Sequence, residues 1–292
     1  MNPRITVLLP THDRPDVLSF AIESVLWQTE EDFELLVVGD GCTDATRDVV
    51  RRFSDRRIRW FDLPKGPLSG YNNRNAALQE ARGHYIAYGQ DDDIFLPDHL
   101  ARLAAELDAT GSEWGYCRTL WCVPKGYLLP VLVNLTNPDE LDWFINTGNS
   151  IPSSSVMHTR ESLARAGYWP TDMPKVADYQ LWRRIIGSSD RGVAYSTAAT
   201  LVHFRARSRD RDIGPVHAME TIAEGAAWWP AACRLDVEDG VPEQATLFLR
   251  LLQDPTAGRE IQRAAASAAD RIAWGTVFRP ADTWSATRAT PR

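Results

Sequence analysis

Short apolar runs alternate with amphipathic stretches through the first 110 residues, and this alternation restricts the fold more than any other feature. The apolar runs have the β-branched character of buried strands, and the stretches between them have helical spacing. The predicted strands are residues 5–9, 33–38, 58–61 and 84–88, and the predicted helices are residues 17–26, 44–53 and 73–81. This order predicts crossover connections and an α/β fold with a mainly parallel central sheet.

Polar side chains follow the predicted strands at the points where they end. Thr11 and Asp13 follow the first strand, Asp40 follows the second, and three aspartates at residues 91–93 follow the fourth. Ligands of open parallel sheets bind outside the carboxyl ends of the strands. The sequence therefore predicts a ligand site at this edge.

The rest of the chain has weaker patterns. We predict strands at 114–121 and 153–158 and helices at 97–109, 160–166, 177–186, 245–252 and 259–272. Residues 123–151 are rich in proline and glycine, which predicts an irregular or hairpin-like segment that covers the site. We expect one α/β domain over residues 1–215, a helical extension over 216–292, and a loose C-terminal dozen residues.

Composition excludes some classes of function. The 292 residues are 44% hydrophobic, enough for a large core, and the net charge of -7 argues against non-specific nucleic-acid binding. With neither an apolar run of about 18 residues nor a charged and apolar leader, we expect a cytoplasmic protein without a transmembrane segment. The four cysteines have no paired spacing and are expected to be free, mostly buried thiols.

The run of acids at residues 91–93 calls for a counter-charge. Two unit charges about 4 Å apart repel by about 4 kcal/mol at the dielectric near a protein surface. A hard divalent cation, Mg²⁺ or Mn²⁺, held by one or two carboxylates and substrate phosphates would offset this repulsion. A solvated cap for the helix that begins near Pro97 is the alternative, and the triplet alone leaves both open.

Several ordered segments resemble family 2 glycosyltransferases. They are residues 6–15, residues 33–44, the positions Gly70, Arg74, Asn75, Ala81, Gly83 and Tyr85, and residues 90–98. The resemblance implies a GT-A fold, with a nucleotide-binding half at 1–110 and an acceptor half at 111–215. It also implies transfer of a sugar from a UDP- or dTDP-linked donor to an acceptor hydroxyl, with inversion.

The resemblance also implies roles for residues of the first half. The residues implied in nucleotide binding are Thr11, Asp13, Asp40, Arg74 and Asp91, with Thr11 and Asp40 against a uracil or thymine ring. The metal motif of the family is Asp-any-Asp, and Gln90 stands where its first Asp is usual. Asp92 is thus the implied ligand of Mn²⁺ or Mg²⁺, Asp91 the nearest substitute at the ribose, and Asp93 a second metal contact.

In the second half, residues 177–182 resemble the family's catalytic segment, which makes Asp178 the implied general base; its alternative is a plain helix N-cap. The further implied substrate or phosphate contacts are His158, Trp182, His203 and Arg207. Arg207 takes the place of a family histidine near the phosphates, so His203 is expected to face elsewhere. A structural histidine is the alternative for His158.

Two other functions remain open at this stage. A nucleotidyltransferase shares such a sheet and acidic site, but the loop after the first strand lacks the glycines that hold a triphosphate. A non-catalytic protein that binds sugar nucleotides has no use for Asp40, Asp92 and Asp178 together. The acceptor is not readable, and Trp228 and Trp229 are compatible with the surface of a homodimer.

Overall fold

The computed structural model describes residues 2–149, 151–173, 176–204 and 230–271. Its strands are β1 (Ile5–Thr11), β2 (Phe33–Asp40), β3 (Ile58–Leu63), β4 (Tyr85–Tyr88), β5 (Ile94–Phe95), β6 (Trp114–Val123), β7 (Tyr127–Pro130), β8 (Val156–Thr159), β9 (Ala194–Phe204) and β10 (Cys233–Arg234). Its α-helices are α1 (Leu18–Leu26), α2 (Asp44–Arg51), α3 (Tyr71–Gln79), α4 (His99–Thr110), α5 (Pro138–Asn146), α6 (Arg160–Ala166), α7 (Ala177–Gly187), α8 (Glu243–Gln253) and α9 (Ala257–Asp270). Short 3₁₀ helices lie at Pro124–Gly126 and Ser153–Ser155.

The first half of the sheet is parallel, as the sequence predicts. β1 lies between β2 and β4, and β3 pairs with the other edge of β2, all in parallel register. Every residue of β2 is buried, because helices cover both faces of the sheet. The α/β class and the alternating order of the first 110 residues are therefore confirmed.

The second half of the sheet is largely antiparallel, so the predicted parallel order holds in part, for the first half of the sheet. β8 pairs antiparallel with β4 and β6, and the β6–β7 hairpin continues antiparallel to β10. β9 alone is parallel to β6, and it pairs antiparallel with β5. A parallel pair needs a long crossover, and the short turn between β6 and β7 permits only a hairpin.

The segment 123–151 is more regular than predicted. Its hairpin, β6–β7, agrees with the prediction, but α5 is a helix where we expected irregular chain. Asn137 caps α5 by accepting the backbone N–H of Asp139 at 3.0 Å, and Pro138 is its first residue. An Asn-Pro pair followed by acids is a helix-start signal, but Phe144 is the only buried residue of α5, which leaves little periodicity to detect.

The C-terminal helices α8 and α9 form at the predicted positions and pack on the sheet. Leu247 and Ile261 join a buried cluster with Ile94, Leu96 and Leu120. The predicted boundary at residue 215 lies outside the described residues, as do Trp228, Trp229 and the C-terminal dozen. All four cysteines are free thiols, as predicted. Within the part of the chain described, no helix is both long and apolar enough to cross a membrane.

Glu34 on β2 is a buried acid at the opposite end of the parallel strands from Asp40. Its carboxylate accepts hydrogen bonds from the Thr6 hydroxyl (2.8 Å) and from the guanidinium groups of Arg82 (2.6 Å) and Arg59 (3.1 Å). Gly83 N–H donates to the Thr6 hydroxyl at 2.8 Å. This network joins β1, β2 and β3 to the start of β4.

We expect Glu34→Ala to lower the free energy of unfolding by about 3 kcal/mol, because it leaves a buried hydroxyl and two arginines without their acceptor. The value lies at the low end for a broken buried pair, since both arginines reach solvent. Urea denaturation would measure it. The control is Asp48→Ala, whose pair with Arg51 is exposed and should change stability by less than about 1 kcal/mol. Equal midpoints for the two variants would contradict the role of Glu34.

Candidate active site

Polar side chains from three neighbouring strands lie at one edge of the sheet. Thr11 ends β1, Asp40 ends β2, and residues 90–93 follow β4, which pairs parallel with β1. The carboxyl ends of parallel strands open onto the same edge, so the tertiary structure brings these segments together where the sequence predicted a ligand site.

Asp40 is buried, and its carboxylate accepts hydrogen bonds from the loop that follows β3 and from the first turn of α3. The donors are Lys65 Nζ (2.5 Å), the Gly66 N–H (2.6 Å) and Asn73 Nδ2 (2.7 Å). Burial opposes ionisation, but these donors together hold the pKa of Asp40 below its ordinary value. Gly70 has a φ of +70° and packs so closely that a Cβ would lie 2.5 Å from Asp40 Oδ2. These contacts therefore keep an ionised carboxylate at the position predicted to contact the nucleobase.

The loop after β1 is held against the start of α2. The Asp13 carboxylate accepts the backbone N–H of Thr43, the N-cap residue of α2, at 2.6 Å. Thr11 is buried, and its carbonyl accepts a weak hydrogen bond from Cys42 Sγ at 3.5 Å. Asp13 therefore has a structural contact that the predicted nucleotide role did not include.

Arg74 on α3 lies at the centre of the site. Its guanidinium carbon is 5.1 Å from the ring centroid of Tyr71 and 4.9 Å from that of Trp169, so two aromatic rings hold the cation in place. Burial lowers the pKa of Arg74, and three nearby carboxylates act in the opposite direction: Asp178, Asp91 and Asp40. The predicted basic residue thus lies among acids from three separate segments.

The adjacent aspartates have different surroundings. Asp91 accepts a long hydrogen bond from the His12 N–H (3.4 Å), and burial raises its pKa. Asp92 is 3% exposed, and its carboxylate lies 3.3 Å from the Arg14 guanidinium. Burial, followed by the charges of the two neighbouring acids, raises the pKa of Asp92 to about 7. The repulsion expected from the sequence therefore acts most strongly on Asp92.

Asp93 is bound to the protein instead of facing a ligand. Its carboxylate accepts hydrogen bonds from the Ser154 hydroxyl and from the Phe204 N–H (3.1 Å), and it lies 2.9 Å from Nδ1 of His203. These contacts occupy the Asp93 carboxylate within the protein, and its metal contact stays a prediction. They also place His203 beside residues 91–93, the acidic loop, where we expected Arg207. Arg207 lies outside the described residues.

Asp178 stands in the first turn of α7. One oxygen accepts the N–H of Tyr179 at 2.8 Å. Burial raises the pKa of Asp178, while the charge of Arg74 partly opposes this rise. Val176, just before α7, has a φ of 59°, an unfavourable conformation for a β-branched residue. A half-buried carboxylate with a raised pKa has the properties of a general base.

Two predicted substrate contacts are core residues. His158 is fully buried; its Nε2 lies 2.7 Å from the Tyr88 hydroxyl and its Nδ1 lies 2.8 Å from the Thr159 carbonyl. Burial lowers the pKa of His158 to about 4, so the ring is neutral. Trp182 is also fully buried and packs on Tyr88 and Trp114. The structure therefore corrects both predictions, because neither side chain reaches the pocket.

The sequence analysis missed four residues that touch the site: Arg14, Lys65, Asn73 and Gln244. Lys65 lies just after β3, so its position at a strand end was an available signal, whereas Asn73 lies within α3. Gln244 donates to the Asp92 carbonyl at 3.1 Å across 152 positions, and nothing in the local sequence indicates this contact. Gln90, which replaces the usual Asp, donates to the Ser153 hydroxyl at 3.1 Å.

The described residues contain no cluster of three or more histidine, cysteine or acidic side chains that could hold a metal ion. Asp92 nevertheless fits a divalent cation, because it is a buried carboxylate between two like charges. A cation on one carboxylate would complete its shell with phosphate oxygens and water, as Mg²⁺ commonly does.

The mixed sheet of this chain, with a parallel first half, is similar to the GT-A fold of solved glycosyltransferases. TarS 1–349 of S. aureus in complex with UDP-GlcNAc superposes with a TM-score of 0.59 at 16% identity, over 87% of this chain and 74% of that one. The mannosyltransferase PcManGT of Pyrobaculum calidifontis, in complex with GDP-Man and Mn²⁺, superposes with a TM-score of 0.53 at 19% identity, over 98% and 79% of the two chains.

The sequence comparison indicates a resemblance to one family. Residues 6–119 match the model of glycosyl transferase family 2. Protein CgeD of Bacillus subtilis is 28% identical over 207 residues, which are 63% of this chain and 46% of CgeD. Residues 6–119 of this chain therefore resemble family 2 glycosyltransferases. It spans less than half the length of the first curated relatives that it matches.

Proposed function

We propose that the chain transfers a sugar from a UDP- or dTDP-linked donor to an acceptor hydroxyl, with inversion at the anomeric carbon. The observation that carries this proposal is the position of Arg74 among Asp40, Asp91 and Asp178. Asp40 is predicted to contact the nucleobase, Asp91 the ribose of the donor, and Asp178 the proton of the acceptor hydroxyl. One pocket would therefore serve all three tasks. The solved complexes of TarS with UDP-GlcNAc and of PcManGT with GDP-Man support a nucleotide-sugar donor.

The nucleobase is assigned to Asp40 and Lys65. A carboxylate has about four acceptor positions, and three donors occupy Asp40, which leaves one for a ring N–H. The neighbouring Lys65 ammonium donates to a carbonyl. Uracil and thymine present an N–H beside a carbonyl on one edge, as guanine also does, whereas adenine and cytosine do not.

The metal is assigned to Asp92. Mn²⁺ or Mg²⁺ would be held by this carboxylate and by the diphosphate, and when bound it neutralises the charge that grows on the leaving nucleotide. PcManGT, which shares the fold, was solved with Mn²⁺. Arg14 lies 3.3 Å from Asp92 and can pair with a phosphate once that carboxylate serves the cation.

The general base is assigned to Asp178. An acceptor hydroxyl attacks well only if its proton is removed as the new bond forms, and a half-buried carboxylate with a raised pKa accepts that proton readily. Arg74 lies near both Asp178 and the donor residues, so it orients the two halves of the pocket. Donor binding thus belongs to residues 1–110 and acceptor binding to residues 111–215.

The test is a panel of nucleotide sugars incubated with the protein and Mn²⁺, with and without EDTA. We expect release of free nucleoside diphosphate from uracil- or thymine-linked donors, at a rate that falls in EDTA. Pyrophosphate release from a nucleoside triphosphate and a sugar phosphate would indicate a nucleotidyltransferase instead. Tight nucleotide binding without turnover of any donor, over a broad set of acceptors, would favour the non-catalytic alternative.

A further inference from the structure

The C-terminal helices reach the acidic loop through one buried side chain. Gln244, in the first turn of α8, is 7% exposed, and its Nε2 donates to the backbone carbonyl of Asp92 at 3.1 Å. This contact fixes the main chain of the residue to which we assign the metal. A buried carbonyl that loses its donor is left desolvated without a partner, so the loop would move to find another one.

A second group of contacts holds the end of the same loop. Gln262 on α9 donates from Nε2 to Asp98 Oδ1 at 2.6 Å, just before α4. Gly258 lies so close to Pro97 that a Cβ there would be 3.2 Å from the proline ring. α8 and α9 therefore contact both ends of the segment from Asp92 to Asp98.

The opposite side of this segment is held by β9. Ile94 pairs with Val202, and the Leu96 N–H donates to the Thr200 carbonyl at 2.9 Å. The acidic loop is thus fixed from two sides. The side on which Gln244 lies is the one that orients Asp92, where the repulsion among the three carboxylates is strongest.

We infer that Gln244 is a positioning residue for metal binding, and that α8 contributes to the active site instead of forming an accessory extension. Gln244 holds the Asp92 main chain so that its carboxylate stays directed at the cation despite the repulsion of Asp91 and Asp93. This inference rests on the proposed function for its metal, but the contact itself can be tested without the metal.

The test compares Gln244→Met with Gln262→Met. Both substitutions remove one amide donor from a C-terminal helix with little change in volume, but only the first contacts Asp92. Loss of a group that orients a metal ligand typically costs 10–100-fold in metal affinity. We expect Gln244→Met to raise the Mn²⁺ concentration for half-maximal nucleotide binding, measured by calorimetry, by about 10-fold, and Gln262→Met to leave it within about 2-fold.

Hydrogen exchange of the peptide that spans residues 90–96 gives the second readout, in metal-free protein. We expect faster exchange in Gln244→Met than in the wild type, and restoration of slow exchange in Gln244→Asn if water completes the contact to the Asp92 carbonyl. Unchanged exchange in Gln244→Met, or equal Mn²⁺ constants in the two methionine variants, would overturn the inference. Absence of Mn²⁺-dependent nucleotide binding in the wild type would instead refute the proposed function and the metal-positioning role, while exchange still decides whether Gln244 orders the loop.

Discussion

Asp178→Asn is expected to lower the rate of sugar transfer by about 10²–10⁴-fold, because the amide cannot take up the proton of the acceptor hydroxyl. Nucleotide affinity should change little, since Asp178 contributes through the acceptor half and Asn preserves its volume. Single-turnover transfer and calorimetry with the nucleoside diphosphate would measure the two quantities separately.

The pH profile gives Asp178 a second signature. Burial raises its pKa above the ordinary value of about 4, and a base works only when it is deprotonated. Activity should therefore fall as the pH decreases through this raised pKa, and the acid limb should be absent from the residual activity of Asp178→Asn. The matched control is Asp190→Asn, an exposed aspartate after α7, which should keep full activity. Equal transfer rates for the two variants would remove Asp178 from its role.

Asp92→Asn is expected to abolish the metal-dependent part of nucleotide affinity, a loss on the order of 100-fold, because the cation loses its charged protein ligand. Calorimetry in Mn²⁺ and in EDTA would measure this directly. The wild type should bind nucleotide more tightly in Mn²⁺, whereas the variant should bind equally in both. A metal effect that survives in Asp92→Asn would place the cation elsewhere.

The same variant should be more stable than the wild type without metal. The folded-state pKa of Asp92 is raised to about 7, so the folded protein binds this proton more tightly than the unfolded chain does. The ionised carboxylate therefore destabilises the fold increasingly as the pH rises from about 4 to about 7, and fully above that. We expect the melting temperature of Asp92→Asn to exceed that of the wild type by a few degrees at pH 8, since 1 kcal/mol corresponds to about 2–4 °C. At pH 4 the two melting temperatures should be equal.

Asp93→Asn is the matched control for this measurement. Asp93 accepts from Ser154 and the Phe204 N–H and lies against His203, so replacing it should lower the melting temperature. A higher melting temperature for both variants would mean that removing either charge reduces the repulsion among the three carboxylates. Opposite shifts in melting temperature would show that the Asp92 carboxylate destabilises the metal-free fold, whereas the Asp93 carboxylate stabilises it.

The local sequence determined the elements of the first half and the identity of its polar ends. Apolar strands such as Phe33–Asp40 are buried on both faces, so their composition alone marks them as central strands. Asp40, Asp92 and Asp178 are predicted site residues because each stands where a strand ends or a helix begins, and because the segments around them resemble those of the family. The cysteines were correctly expected to be free, since their spacing and the chain length give no reason for a disulfide.

Only the tertiary structure decided what each polar side chain touches. His158 and Trp182 lie beside functional segments in sequence, but the alternation of a strand and the turn of a helix direct them into the core. Asp92 and Asp93 are adjacent, yet one faces Arg14 and the other faces β9. Gln244 reaches the acidic loop from 152 positions away. Sequence patterns report local periodicity, whereas contacts between distant segments depend on the packing of the whole chain, which no local pattern encodes.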